Sequence, residues 1–372
     1  ACLLLEEGHA NAAQIDAIAC KAFRIGLGPF GLMNLTGPPI ALHSTDYLAE
    51  QLATPRYVGA ANLRSLVNEN RMWEIDADAT YSEQQYEVIS RRLYGVVFGV
   101  AAQIVDEDVC SMEDVDRGAK VGLRWARGPF ELMNRVGLTE SYNMAQEYLA
   151  LCQDAGAESS WSIPQFFADQ AASNSPWEFS YVDTSIDNGI ATITINRPEA
   201  MNALNEKVIQ QLGKTITAIN SDNSVHTIVL DGAGKAFVAG ADVKFFVDKI
   251  RSDSIDDIVE FTSNGHKVLN SIENSPKTTI ALTTGLALGG GLELALCCDY
   301  RIGTRRTQFR FPETSIGIYP GLGGSQRPAR ICGIPLARWA VLGGNFMNAQ
   351  MAYDIGLLTH LVDIAEVEQA TS

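Results

Sequence analysis

The apolar positions in the first 150 residues recur at the spacing of helices. Residues three and four apart lie on the same side of a helix, and the apolar residues that would share one such face include Val96, Val97, Val100, Ile104 and Val105. The following Ser111-Met112-Glu113-Asp114 has the character of a helix N-terminus, with a Ser cap and acidic residues. This part of the chain is therefore predicted to be a series of helices and turns.

The pattern of apolar positions changes near residue 179. Residues 189–195, Gly-Ile-Ala-Thr-Ile-Thr-Ile, alternate as a strand does, and Asn196-Arg197-Pro198 ends that strand. The predicted helices beyond it lie at about 205–220, 255–273 and 292–298, and the predicted strands at 227–230, 278–283 and 300–303. Alternating strands and helices indicate an α/β domain.

The helical half contains an internal repeat. Residues 28–34, Gly-Pro-Phe-Gly-Leu-Met-Asn, recur as residues 128–134, Gly-Pro-Phe-Glu-Leu-Met-Asn, at an offset of 100. The same offset, without a gap, pairs Glu7 with Glu107, Asp16 with Asp116, Ala19 with Ala119, Arg24 with Arg124 and Gly37 with Gly137. We therefore predict two copies of one α-helical unit at 1–75 and 86–150, a linker rich in Gly, Ser, Asn and Pro at 151–178, and the α/β domain at 179–372.

Composition excludes several classes of partner. The 372 residues carry 28 Lys and Arg against 44 Asp and Glu, a net charge of −16, which repels phosphate backbones and anionic lipid. No apolar run reaches the roughly 18–20 residues that span a bilayer, and the first residues lack the basic region of a signal peptide. We expect a cytoplasmic protein that binds neither nucleic acid nor membrane, with its seven cysteines reduced. Because the chain starts without Met inside a predicted helix, we also expect it to be part of a longer protein.

One glycine-rich loop is a candidate for chemistry. Gly289-Gly290-Gly291 lie between a predicted strand and an apolar helix, and Glu293 lies on the first turn of that helix. Such a loop lets a ligand approach the backbone and aims helix-start N–H groups at negative charge. A tight strand-to-helix turn with a solvated Glu would give the same sequence. The loop alone leaves both interpretations open.

A second carboxylate favours the chemical interpretation. Glu313 lies between apolar segments, and residues 321–327, Gly-Leu-Gly-Gly-Ser-Gln-Arg, form another glycine-rich entry, which we predict to begin a helix at Gly321. A third loop at 235–244 could supply a second amide, although a small-residue turn explains it equally well. Two carboxylates beside amide donors suit acid–base chemistry next to a developing oxyanion.

Three motifs in this half resemble the crotonase (enoyl-CoA hydratase/isomerase) family. They are Ala-Gly-Ala-Asp at 239–242, Ala-Leu-Gly-Gly-Gly-x-Glu at 287–293, and Phe-Pro-Glu-x-x-x-Gly-Ile-x-Pro-Gly-x-Gly-Gly-x-Gln-Arg at 311–327. The resemblance covers about residue 179 to the end. It implies a spiral of repeated ββα units and a homo-oligomer, a trimer or hexamer.

The resemblance also implies a role for each matching residue. The backbone N–H groups of Ala241 and Gly290 would form an oxyanion hole for the thioester carbonyl of an acyl-CoA substrate. Glu293 would help deliver water to C3, Glu313 would supply the proton to C2, and Gly321 would present a helix start to the site. The residues that would bind the substrate are Ala241, Asp242, Val243, Lys244 and Gly290. Hydration would need no metal and no cofactor.

The Gly-Pro-Phe-x-Leu-Met-Asn units resemble the C-terminal helical domain of 3-hydroxyacyl-CoA dehydrogenases. In bifunctional β-oxidation proteins such a doubled domain stands beside a crotonase module. No G-x-G-x-x-G follows a strand, so NAD would bind only in a longer protein and this chain is not expected to oxidise anything alone. The second copy has Ser90 where the family has Asn, which predicts a structural role. Crotonases also continue beyond a segment like 356–358, so we expect a fragment that lacks their last helices.

Three functions are compatible with the sequence. A hydratase is favoured, because Δ3,Δ2-enoyl-CoA isomerases of the family typically lack the pair formed here by Glu293 and Glu313. An isomerase and a non-catalytic scaffold are the alternatives. The five histidines show no nucleophile or metal spacing and are predicted to be structural.

Overall fold

The computed structural model describes residues 1–52, 57–154, 162–367 and 370, and it divides into two compact units, Ala1–Phe179 and Ser180–Ser372. The described α-helices of the N-terminal unit are α1 Cys2–Glu6, α2 Ala12–Phe23, α3 Pro29–Thr36, α4 Pro38–Gln51, α5 Ala61–Asn68, α6 Glu83–Asp106, α7 Met112–Arg117, α8 Pro129–Val136, α9 Leu138–Asp154 and α10 Gln165–Ser173. A π-helical turn, Gly118–Gly122, follows α7. The predicted cap at Ser111 is confirmed, since its side chain accepts the N–H of Asp114 at 3.1 Å.

The repeated Gly-Pro-Phe motif is explained by a buried aspartate in each copy. Asp16 Oδ1 accepts the N–H groups of Phe30 and Gly31 at 2.7 and 3.2 Å, which caps the start of α3. A Cβ on Gly28 would lie 2.4 Å from that oxygen, so only glycine fits beside the cap. Asp116 caps α8 in the same way, since Phe130 N donates to its Oδ1 at 2.8 Å and Glu131 N to its Oδ2 at 2.9 Å.

A second contact is shared by the two copies. Asn34 Nδ2 donates to the carbonyl of Trp73, and its Oδ1 accepts the N–H of the same residue, both at 2.9 Å. Asn134 makes the same pair of bonds with Trp177, at 3.0 and 2.6 Å. Trp73 and Trp177 are 104 positions apart, whereas the rest of the repeat has an offset of 100. An alignment of the two copies without a gap therefore does not pair these tryptophans.

The linker prediction for 151–178 is wrong for its later part. Residues 165–173 form α10, whose Phe167 is fully buried and stacks edge-on against Tyr142 of α9. The Gly, Ser and Pro composition suggested a linker, but the aromatic residues within it belong to the core of the helical unit. Residues 155–161 of that prediction, and residues 53–56 of the first copy, lie outside the described residues.

α6 is long and apolar enough to cross a membrane by length and composition, although no unbroken apolar run in the sequence suggested it. This criterion averages hydropathy along the helix, so α6 meets it although Arg91 and Arg92 interrupt its apolar residues. In the structure the helix packs on α2, α8 and α9. Arg91 forms ion pairs with Glu140 and Glu147, and Arg92 with Glu7.

The C-terminal unit alternates strands and helices as predicted. Its described elements are β1 Val182–Asp187, β2 Ile190–Ile195, α11 Glu206–Ser221, β3 Thr227–Gly232, β4 Ala236–Ala239, α12 Val243–Arg251, α13 Ile255–Glu273, β5 Thr278–Thr283, β6 Leu286–Leu288, α14 Gly290–Ala295, β7 Tyr300–Gly303, β8 Gln308–Arg310, α15 Arg327–Cys332, α16 Ile334–Gly343, β9 Met347–Asn348, α17 Ala349–Asp354 and β10 His360–Leu361. Short 3-10 helices lie at Pro198–Ala200, Glu313–Ile316 and Ile364–Glu366.

Two sheets give this unit the ββα architecture that the resemblance implied. The larger has the order β1-β2-β3-β5-β7-β10, parallel except for the β1–β2 hairpin, and the smaller has the order β4-β6-β8-β9. β3, β5 and β7 of the larger sheet are each followed by a strand of the smaller one, namely β4, β6 and β8. The strands of the smaller sheet have two to four residues, too short for an alternating pattern to reveal them.

Candidate functional site

The glycine run at 289–291 makes a sharp turn from β6 into α14. Gly289 has φ 49° and ψ −120°, a conformation that favours glycine because it has no Cβ. A Cβ on Gly291 would lie 1.9 Å from the carbonyl oxygen of Val238 in β4. The run therefore brings the start of α14 against the neighbouring strand, and Glu293 falls in the first helical turn as predicted.

Two backbone amides lie side by side at this turn. Gly290 is the first residue of α14, and the first N–H groups of a helix have no acceptor within it. The N atom of Ala241 would lie 3.7 Å from a Cβ on Gly290. The loop around Ala241 is held by Leu204, whose N–H donates to Gly240 O and whose carbonyl accepts Asp242 N, both at 2.9 Å. Neither amide of the pair has an acceptor among the described residues, so both are available to an oxyanion.

Glu293 is buried and held by the backbone. It is 2% exposed, and its Oε1 accepts the N–H groups of Leu322 and Gly324, each at 2.7 Å. Burial, with a smaller contribution from the nearby Glu313, raises the pKa of Glu293 to about 7, against the opposing effect of the two N–H donors and Arg327. The carboxyl therefore changes protonation near neutral pH, where acid–base chemistry is most effective.

Glu313 lies in the same site, but its Oε2 accepts no hydrogen bond from the described residues. It is 8% exposed, begins a 3-10 helix, and has a buried Oε2 with no hydrogen-bond partner among the described residues. Burial raises the pKa of this carboxyl above its ordinary value. A Cβ on Gly289 would lie 2.7 Å from Glu313 Oε1, so the carboxyl lies against the glycine run. This unpartnered buried oxygen is free to exchange a proton with a bound substrate.

The prediction that a helix begins at Gly321 is wrong. Residues 321–326 form consecutive turns, and α15 begins at Arg327. Gly323 has φ +107°, outside the helical region. The amides of the turn donate to Glu293 rather than opening a helix, and a Cβ on Gly324 would lie 2.9 Å from Glu293 Cγ. This segment therefore holds a catalytic candidate in place.

The predicted substrate-binding segment opens α12. The Asp242 carboxylate pairs with Arg197 at 2.9 Å, and Val243 is 59% exposed. The side chain of Lys244 lies outside the described part of the structure. A surface cavity of about 250 Å³ lies beside the segment, and its lining comprises Asn205, Glu206, Lys207, Asp242, Phe245 and Asp248.

Two buried polar residues that support the site were missed by sequence reasoning. Asn202 is fully buried, and its Nδ2 donates to the carbonyls of Ala233, Ala236 and Phe237 at 2.9, 2.7 and 3.1 Å. It thereby fixes β4, the strand that leads to Ala241. Arg327 supports the turn below Glu293. The last residue of the Gly-Gly-x-Gln-Arg motif could have been identified as a site residue, whereas no local pattern marks Asn202.

No group of three or more His, Cys, Asp or Glu side chains that could hold a metal ion occurs within residues 1–52, 57–154 and 162–367. The chemical groups that converge at this site are two carboxyls and two backbone amides. On a two-sheet α/β fold, such a set of groups suits an enzyme that stabilises an oxyanion with amides while carboxyls move protons.

Comparison with known proteins identifies the family. The enoyl-CoA hydratase/isomerase family model matches residues 190–372, and the model of the 3-hydroxyacyl-CoA dehydrogenase C-terminal domain matches residues 1–83 and 89–174. The chain belongs to the enoyl-CoA hydratase/isomerase family.

Individual relatives match about half of the chain. The chain is 41% identical over 179 residues to crotonyl-CoA hydratase of Syntrophomonas wolfei, across 48% of this chain and 67% of that protein. It is 36% identical over 191 residues to short-chain-enoyl-CoA hydratase of Clostridium acetobutylicum, across 51% of this chain and 72% of that protein. The crystal structure of enoyl-CoA hydratase from Bacillus halodurans has a TM-score of 0.50 and 31% identity, across 51% of this chain and 76% of that chain.

Proposed function

We propose that the C-terminal unit adds water across the 2,3 double bond of a 2-enoyl-CoA to give a 3-hydroxyacyl-CoA. The observation that carries this proposal is the convergence of Glu293 and Glu313 beside the free amides of Gly290 and Ala241. The substrate class also accords with the hydratases to which the chain is similar.

The reaction divides between the two carboxyls. Ionised Glu293 accepts a proton from water as the water oxygen bonds to C3. Protonated Glu313 gives its proton to C2, for which its unpartnered Oε2 is available. Water thus contributes a hydroxyl to C3 and a proton to Glu293, while C2 gains the proton of Glu313. The step leaves Glu293 protonated and Glu313 ionised. Exchange with solvent restores the starting state.

The two amides stabilise the charge that this step creates. As water adds to C3, electron density moves to the thioester oxygen. An amide already aimed at that oxygen lowers the barrier by about 3–4 kcal/mol. The amides of Gly290 and Ala241 are fixed by α14 and by the Leu204 bridge, so they need no reorganisation during the reaction.

The helical unit places this chemistry in a wider context. Its match to the 3-hydroxyacyl-CoA dehydrogenase C-terminal domain supports the proposal that the chain is part of a bifunctional β-oxidation protein. The hydroxyacyl-CoA product would then be the substrate of the NAD-dependent partner reaction. The chain itself is proposed to need no cofactor for hydration, and its C-terminal unit to assemble with further copies.

The test is the loss of the ultraviolet absorbance of a conjugated enoyl thioester, with crotonyl-CoA as substrate. Hydration by the wild-type chain that disappears in a Glu293→Gln, Glu313→Gln double variant would support the proposal. Migration of the double bond of a 3-enoyl-CoA without hydration of crotonyl-CoA would replace it with the isomerase. A folded protein that binds CoA thioesters but catalyses neither reaction would replace it with the scaffold.

A further inference from the structure

Arg327 is not one of the two candidate catalytic carboxyls, but it connects the turn at 321–326, which holds Glu293, to α13. It is 6% exposed. Its Nη1 donates to the carbonyl of Leu322 at 2.7 Å, and its Nε and Nη2 donate to Glu273 Oε2 at 3.1 and 2.7 Å. Nη2 also donates to Asn270 Oδ1 at 3.1 Å. All three guanidinium nitrogens are therefore engaged.

The turn is shaped around this guanidinium. Gly323 has φ +107°, and a Cβ on it would lie 2.0 Å from Arg327 Nη1. The residues on either side, Leu322 and Gly324, are the two whose N–H groups donate to Glu293. The same short turn thus presents a carbonyl to the arginine and two amides to the carboxyl.

The other end of the contact is a long helix. Glu273 is the last residue of α13 and Asn270 lies one turn before it. α13 spans 19 residues and packs on α11, so it is a fixed support. A planar guanidinium with several donors holds its partners in one geometry better than a single ammonium does.

We propose that Arg327 is a positioning residue for Glu293: by fixing the 321–326 turn to α13, it keeps the Leu322 and Gly324 amides on Glu293 Oε1. This role rests on the hydratase function proposed above. Arg327 touches no reacting atom in this account and acts through the turn.

Loss of Arg327 would change the protonation of Glu293 in one direction. Two charged groups act on Glu293: Glu313 raises its pKa and Arg327 lowers it. The thiol of Cys297 lies nearby, and Glu293 contributes to the raised pKa of that thiol. Without the guanidinium, the positive charge is lost and the two amide donors are no longer held. Both changes destabilise the carboxylate, so the pKa of Glu293 should rise.

The test uses Arg327→Met and the milder Arg327→Lys, which keeps a charge but cannot reach all three partners. The protonated carboxyl of Glu293 is followed by infrared spectroscopy against pH and assigned by its loss in Glu293→Gln. We expect a wild-type midpoint near the pKa of about 7. It should rise by about one pH unit in Arg327→Met, a tenfold change in the ionisation constant, and by less in Arg327→Lys. If Arg327→Met does not fold, Arg327→Lys carries the test.

Arg301→Met and Arg301→Lys are the matched controls. Arg301 is equally buried, at 6% exposed, and also donates to carbonyls, those of Leu357 and Cys298. These variants should lower stability without moving the Glu293 midpoint. An unmoved midpoint in a folded Arg327 variant, or an equal movement in the Arg301 variants, would overturn the positioning role. An inactive wild-type enzyme whose midpoint still moves on Arg327 substitution would instead contradict the hydratase function alone.

Discussion

The helical unit and the α/β unit both bury carboxylates against backbone amides, yet the two sets differ in what they leave unpaired. Asp16 and Asp116 receive two N–H groups each from the start of a helix. Each aspartate therefore caps its helix by accepting both of these N–H groups. The repeated Gly-Pro-Phe motif is therefore accounted for by helix capping, and no catalytic role is needed to explain it.

The glutamates of the α/β unit are arranged differently. Glu293 also accepts two N–H groups, and a second carboxyl, that of Glu313, contributes to its raised pKa, as Glu131 contributes to that of Asp116. The difference lies in Glu313 and in the amides near it. Glu313 itself leaves one buried oxygen without a partner, and two amides nearby have no acceptor among the described residues. Burial of a carboxylate is therefore common to structure and function. The candidate site differs in that an unpartnered carboxyl oxygen lies near two amides without an acceptor among the described residues.

The largest effect should follow Glu313→Gln. The amide has the same shape but cannot supply the proton to C2, so kcat for crotonyl-CoA should fall by about a thousandfold, within the range for a general acid. Binding of the CoA thioester and thermal stability should change little. Steady-state kinetics together with calorimetric binding measure both. Equal losses of kcat and of ligand affinity would contradict the role of Glu313 as the acid.

Asp116→Ala should instead weaken the helical unit. The N–H groups of Phe130 and Glu131 lose their acceptor in a buried place, which costs about 1–3 kcal/mol. Amide hydrogen exchange over 129–136 should speed up accordingly, while hydration of crotonyl-CoA stays at the wild-type rate. The matched Asp16→Ala should act on 29–36 in the same way. A fall in kcat without faster exchange would remove the distinction between the two sets of carboxylates.

The pH dependence of hydration should report the ionisation of Glu293. Glu293 must be ionised to accept a proton, and its pKa is raised to about 7. Activity should therefore rise with pH up to about 7 and fall about tenfold for each unit below it. A profile of kcat against pH measures this limb. Glu293→Gln has no such group, so its residual activity should lack the limb; a limb that persists there belongs to another residue.

The sequence identified the two candidate carboxyls more readily than the residues that support them. Glu293 and Glu313 each lie in a contiguous glycine-containing motif, so the local sequence is enough to identify both carboxyls. The contacts of Asn202 and Arg327 join segments 31 to 57 positions apart, and no local pattern carries that information. The sequence predicted a helix start at Gly321 because glycines often precede helices, but here the amides of the turn bind a carboxylate instead.

The fold shows the same division. Long elements such as α13 and β5 were predicted with their observed bounds. The short strands of the smaller sheet were missed because pairing within the sheet, rather than side-chain pattern, defines them. α10 was missed because four extra positions in the second copy put Trp177 out of step with Trp73.

The most direct measurement is the rate of crotonyl-CoA hydration by the wild-type chain, by Glu313→Gln and by Asp116→Ala under one set of conditions. We expect rapid loss of enoyl absorbance with the wild type and with Asp116→Ala, and nearly none with Glu313→Gln. A wild-type rate with Glu313→Gln in a folded protein would contradict it.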